Sequence, residues 1–148
     1  KDALIKADPQ NASYYEANFE AFKNKIGQKY AGWKERMKPL SGKSFISYHS
    51  SWVYFAKSFD LNIAASIEPF PGIPPTAKHL DKLIKLIKEQ KVSFVLQEGY
   101  FSDSAPKFLK EKTGIRIVKR NPSCEGTAAD SYFDYFDSLV KEISQAEK

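Results

Sequence analysis

Apolar positions along this chain repeat with two alternating periods. From Tyr15 they fall at Phe19, Phe22, Ile26, Tyr30, Trp33 and Met37, in steps of three and four. That spacing is one stripe of a continuous helix. Asp8-Pro9 separates it from what precedes, because the residue before a proline is pushed out of the helical region. Asn11 or Ser13 then stands where a cap is wanted, and Pro39 ends the run. Lys1 to Ala7 reads as the tail of an earlier helix. With no initiator Met and no signal peptide, the chain is expected to be a processed or cut product.

Beyond Pro39 short apolar runs alternate with helical spacing. Ser44 to Tyr48 predicts a buried strand, followed by a helix with Trp52, Val53, Phe55, Ala56 and Phe59 on its apolar side. Asn62 to Ile67 is a second strand. Glu68 to Pro75 then holds half of the chain's 8 prolines, so it is a stiff loop inside one domain and neither helix nor central strand. Lys78 to Gln90 puts Leu80, Leu83, Ile84 and Ile87 on one helical face and lysines outside. Val92 to Leu96 is a third strand, and Ala105 to Lys112 a short helix stopped at Thr113-Gly114, with glycine in the terminating role. Ile115 to Val118 is a fourth strand. A polar loop from Asn121 to Ala129 leads to a last helix from about Asp130, with Tyr132, Phe133, Phe136, Leu139, Val140 and Ile143 inward. Strand and helix thus alternate four times. The expected fold is α/β, a four-stranded, mostly parallel sheet with helices on both faces and right-handed crossovers.

Composition narrows the function classes. A length of 148 residues suits one domain with a real core. The net charge of +5 comes from lysines scattered among glutamates, with only Arg36, Arg116 and Arg120 as arginines. Nucleic-acid binding calls for clustered arginine and interleaved aromatics, so solvated helix faces account for the charge. No stretch approaches the roughly 20 apolar residues of a membrane span. The single cysteine, Cys124, excludes an internal disulfide and a multi-cysteine zinc site.

In a parallel α/β sheet, scattered polar side chains converge only beyond the carboxyl ends of the strands. Those places hold His49, Glu68, Glu98 and the loop from Asn121 to Cys124. An imidazole, two carboxylates and a thiol are ligands for first-row metals; imidazole and thiol favour zinc and carboxylate tolerates manganese. Each has a plain alternative. His49 can be structural, Glu98 can cap a helix or bind backbone, Glu68 before its proline can be merely solvated, and Cys124 can be a chance thiol. His79 reads as an exposed histidine in the first turn of a surface helix. Cys124, His49 and Glu98 can also be drawn as nucleophile, base and orienting acid of a small cysteine- and histidine-dependent enzyme. No nucleophile elbow or glycine-rich turn surrounds the cysteine, and no phosphate-cradling motif follows any strand.

Several ordered motifs carry a resemblance. They are Asp8-Pro9-Gln10-Asn11 with Tyr15 and Asn18; Gly42-Lys43 with Tyr48-His49, Trp52 and Tyr54-Phe55; and Ile67-Glu68-Pro69 with Pro71-Gly72-Ile73-Pro74-Pro75. The helix at Leu80, Glu98 with Gly99-Tyr100-Phe101, Thr113-Gly114 and the Tyr132 helix continue the series. Together they resemble the solute-binding proteins of zinc and manganese ABC importers. The resemblance implies two α/β lobes joined by a long helix, with metal held between them outside the membrane and passed to a permease. This chain resembles the second lobe alone. Residues 1–8 would then end the connecting helix and 9–148 form the C-terminal lobe, the absent first lobe supplying further histidine ligands. The implied location is periplasmic or otherwise extracytoplasmic, with a lipid anchor in the full protein. His49 matches the ligand after the lobe's first strand, where histidine favours zinc over manganese. Glu98 matches an acidic residue beside the cleft, as a ligand or its partner. Asn121 stands where the family has an aspartate ligand, and Cys124 is the thiolate that would replace it.

Overall fold

The computed structural model describes residues 1–124 and 131–145. The expected start of the last helix at Asp130, and the end of the loop before it, lie outside the described residues. By its internal contacts the chain divides into Lys1–Glu35 and Arg36–Lys148.

Helix α1 (Asp2–Ala7) stops at Asp8, a 3₁₀ turn covers Pro9–Asn11, and α2 begins at Ala12 and runs to Met37, two residues beyond the first unit. The turn is tied by the Asp8 carboxylate, which accepts from Asn11 Nδ2 at 2.8 Å and from the Tyr15 hydroxyl at 2.9 Å. These two bonds hold the Asp8 carboxyl below its usual pKa. The stripe expected along α2 is present but largely on show: Phe19, Phe22 and Tyr30 are exposed, and burial begins only at Trp33 and Met37.

The second unit contains the sheet. Strands β1 (Ser44–Ser47), β2 (Asn62–Ser66), β3 (Phe94–Gln97) and β4 (Arg116–Lys119) lie in the order β2-β1-β3-β4, and every pairing is parallel. Helices α3 (Val53–Ser58), α4 (Ala77–Gln90), α5 (Ser104–Thr113) and α6 (Tyr132–Ser144) follow the strands in turn. On one face Ile46, Tyr48 and Val95 pack with Leu83 and Ile87 of α4 and Leu109 of α5. Side chains alternate along a strand, so Phe45, Phe94, Leu96 and Val118 belong to the opposite face, and they are equally buried. The apolar residues of α3 and α6 lie outside that cluster, and Phe55, Ala56, Phe133, Leu139, Val140 and Ile143 among them are buried.

Two details differ from expectation. The segment after β1 opens with a 3₁₀ turn, Ser50–Trp52, before the short α3. Tighter winding there shifts the helical phase, so Val53 faces solvent while Trp52, Phe55, Ala56 and Phe59 stay buried. The β1–β2 ladder also slips between Phe45 and Ile46, where β2 takes up one extra residue, Ala64. Gly114 terminates α5 as expected: its φ of 76° is left-handed, and its N–H returns to the Lys110 carbonyl.

Candidate metal centre

Strand order decides which side chains can meet. In the order β2-β1-β3-β4 the chain leaves β1 toward β2 on one side and reaches β3 on the other, so the switch point lies between β1 and β3. His49 follows β1 and Glu98 follows β3, one on each side of that crevice.

His49 is held from both flanks. The ladder continues past the strands, with Ile67 N–H donating to Ser47 O at 2.9 Å and Glu68 N–H to Tyr48 O at 3.0 Å. On the other side Tyr48 N–H donates to Leu96 O at 2.9 Å. Once Ala64 has shifted the register, Ser66 pairs with Ser47 and their hydroxyls sit 3.1 Å apart. Two residues further on, the same register sets Glu68 beside His49. Glu68 Oε2 lies 2.6 Å from His49 Nδ1. Without the slip Ile67 would stand opposite the imidazole, since one residue of register exchanges the faces.

Glu98 is fully buried, and among the described residues neither carboxylate oxygen has a well-formed hydrogen bond. Burial pushes its carboxyl above the usual range; its own backbone N–H, then donors on Ser51 and Trp52 and the charge of His49, moderate the rise. A buried carboxylate with open lone pairs is a costly arrangement unless something positive arrives. The loop that carries it is well built. Gln97 Nε2 lies 2.9 Å from Asp103 Oδ1, 3.2 Å from Phe101 O and 3.3 Å from Ser102 O. Phe101 stacks on Tyr48 with ring centroids 4.4 Å apart and stands 5.7 Å from the His49 ring.

Asn121 is engaged elsewhere. Its Oδ1 accepts from Gly99 N–H at 2.9 Å, and its main-chain carbonyl accepts from the Tyr135 hydroxyl. A Cβ on residue 99 would come within 3.1 Å of that Oδ1, so glycine permits the approach. Asn121 therefore ties the β3 and β4 loops together. Burial, with the charge of Cys124 adding, pushes the Tyr135 hydroxyl up to about 12. Cys124 is half-buried in this last loop. Among the described residues no three His, Cys, Asp or Glu side chains form a metal-holding group, so His49, Glu98 and Cys124 are not gathered together.

Two residues given modest roles from sequence have definite ones here. Glu68, read as a candidate carboxylate ligand or as merely solvated, is the direct partner of His49. His79, read as an exposed surface histidine, is half-buried, with Nε2 3.0 Å from the Ser66 carbonyl. A carbonyl only accepts, so Nε2 carries a proton. Both imidazoles, Glu68 and the Pro69–Pro71 segment line a pocket of about 290 Å³. The pairing of residues 49 and 68 carries no local signal, because it depends on a register slip.

The Glu98 environment sets a pH dependence in the metal-free protein. A carboxyl whose folded pKa is raised favours the folded state most below the unfolded pKa, about 4.3. That contribution is lost as pH rises through the folded value. Glu98→Gln is expected to flatten this part of the profile, so urea midpoints taken from acid to neutral pH should fall less steeply than in the parent. An unchanged slope would mean that Glu98 is not the group responsible.

An all-parallel sheet with an imidazole and a buried carboxylate across its switch point defines an α/β ligand-binding lobe. Residues 1–146 match the model of the family described as zinc-uptake complex component A, periplasmic, and the chain belongs to that family. It is 28% identical over 152 residues to the metal ABC transporter substrate-binding lipoprotein SloC of Streptococcus mutans, covering 96% of this chain and 50% of that protein. It is 26% identical over 144 residues to the high-affinity zinc uptake system protein ZnuA of Yersinia pestis, covering 97% of this chain and 44% of that one. A crystal structure of ZnuA superposes with a TM-score of 0.83 at 28% identity, over 99% of this chain and 55% of the other. The chain thus spans about half the length of the relatives it matches.

Proposed function

We propose that this chain is the C-terminal lobe of a two-lobe solute-binding protein that takes up zinc ahead of manganese and delivers it to an ABC permease. The observation that carries the proposal is the placement of His49 and the unsatisfied Glu98 on the two strands flanking the switch point. Family membership supports the metal and the transport role. His49 and Glu98 are the proposed ligands. Cys124, in the loop after β4, is the remaining candidate donor, although among the described residues it is not gathered with the other two, and Asn121 is set aside because its Oδ1 already serves Gly99. Residues 1–8 are assigned to the end of the inter-lobe helix and 9–148 to the lobe. A first lobe completes the coordination, and the protein works outside the cytoplasmic membrane. Among the described residues no helix is long and apolar enough to cross a membrane.

Membership of a zinc-uptake family favours transport over catalysis at this site. The cysteine–histidine enzyme would need Cys124 beside the His49–Glu68 pair, and among the described residues no three His, Cys, Asp or Glu side chains come together in that way. Imidazole at the first ligand position prefers zinc, which tolerates nitrogen and sulfur better than manganese does. Titration of the chain with zinc and with manganese against a chelator tests the reading. Zinc is expected to bind more tightly; failure to bind either ion, or a reversed order, would overturn the reading.

A further inference from the structure

We propose that Glu68 is a positioning residue that selects the nitrogen His49 presents to the metal. This rests on the reading of His49 as a ligand. An ionised carboxylate only accepts hydrogen bonds. A 2.6 Å contact between Oε2 and Nδ1 therefore requires a proton on Nδ1. In the neutral imidazole that leaves Nε2 as the bare, ligating nitrogen and turns the ring so that Nε2 points away from Glu68. An imidazole without such a partner leans to the opposite form, with the proton on Nε2.

The surroundings make the pairing a fixed arrangement. Glu68 N–H is bonded to the Tyr48 carbonyl, so the two backbones are joined one residue before the imidazole. Pro69 confines Glu68 to extended conformations, and only 9% of the Glu68 side chain is exposed, against 29% for His49. The Phe101 ring stands on another side of the imidazole. Carboxylate partners of this kind set ring orientation and ligand basicity at metal sites, and removing one costs about 10–100-fold in affinity. The stiff proline loop acquires a purpose in this account: it holds the carboxylate still.

Two measurements test the assignment. Long-range proton–nitrogen NMR correlations on the metal-free chain report the tautomer of neutral His49. The Nδ1–H form is expected in the parent, and in Glu68→Gln, whose side-chain carbonyl still accepts. A shift toward Nε2–H is expected in Glu68→Ala. A parent in the Nε2–H form, or an alanine variant with no shift, overturns the proposal without any metal present. Zinc titration of the same proteins supplies the second readout. Alanine is expected to lose about 10–100-fold and glutamine distinctly less. Equal losses from both would make Glu68 a direct ligand and overturn the positioning role. If His49→Ala leaves zinc binding intact, the metal reading itself fails, and the tautomer result is unaffected.

Discussion

Replacing His49 by alanine is expected to weaken zinc binding by more than about 100-fold, because loss of even a ligand's hydrogen-bonded partner costs about 10–100-fold. Water can take the vacated position but brings neither the basicity of imidazole nor its fixed direction. The backbone just before the imidazole is fixed by ladder bonds at Ser47 and Tyr48, and the ring itself is held by Glu68, so much of its orienting cost has been met on folding. Chelator competition on parent and variant measures the effect. His79→Ala is the control: it lines the same pocket, but its Nε2 serves the Ser66 carbonyl, and zinc affinity should be unchanged. A His79 variant that loses as much as the His49 variant would move the site to the other imidazole.

The second large effect concerns the sheet that carries the site. Phe45 and Phe94 lie opposite one another on the central strands, both fully buried, with rings nearly parallel at 6° and centroids 5.2 Å apart. Phe94→Ala removes one ring of the stack and leaves a cavity that two central strands cannot collapse to fill. The expected cost is about 3–5 kcal/mol, a large share of the roughly 5–15 kcal/mol that holds a domain folded. At about 2–4 °C per kcal/mol for a chain of this size, the melting temperature should fall by roughly 10 °C. Urea unfolding should show a lower midpoint with an unchanged slope. A loss below about 1 kcal/mol would mean that the opposite ring relaxes into the gap.

Much of the fold was legible because its strands are short apolar runs fenced by glycine, proline and polar residues. Phe45-Ile46 and Phe94-Val95-Leu96 are buried on both faces, so they read as continuous apolar segments and not as alternation. Boundaries moved by a residue or two, as at β3, which begins at Phe94 and not Val92. Alternation of strand and helix announced parallel pairing, while the order β2-β1-β3-β4 had no local signature. What was legible of the candidate site is that His49 and Glu98 follow the ends of two strands, the place where such sheets bind ligands. The role of Glu68 was not: its meeting with His49 depends on the extra residue at Ala64, and a slip of one is invisible to any period counted along the chain. Val53 was misplaced for a related reason, a 3₁₀ turn resetting the helical phase.

The pairing of β1 on two sides has a consequence for how the chain assembles as it is made. Phe45 finds its first partner, Ile63, soon after it emerges, but its second, Phe94, only after the proline loop and the whole of α4 have followed. Until then one edge of β1 presents unpaired backbone beside the large apolar side chains Phe45 and Ile46, the kind of edge that recruits strands from other molecules. Closure of the sheet's middle is therefore late and non-local, which makes folding slow compared with a helical chain of equal length. The two strands whose joining forms the crevice between His49 and Glu98 are the two that wait longest for each other, so the proposed site and protection from aggregation arrive in the same step.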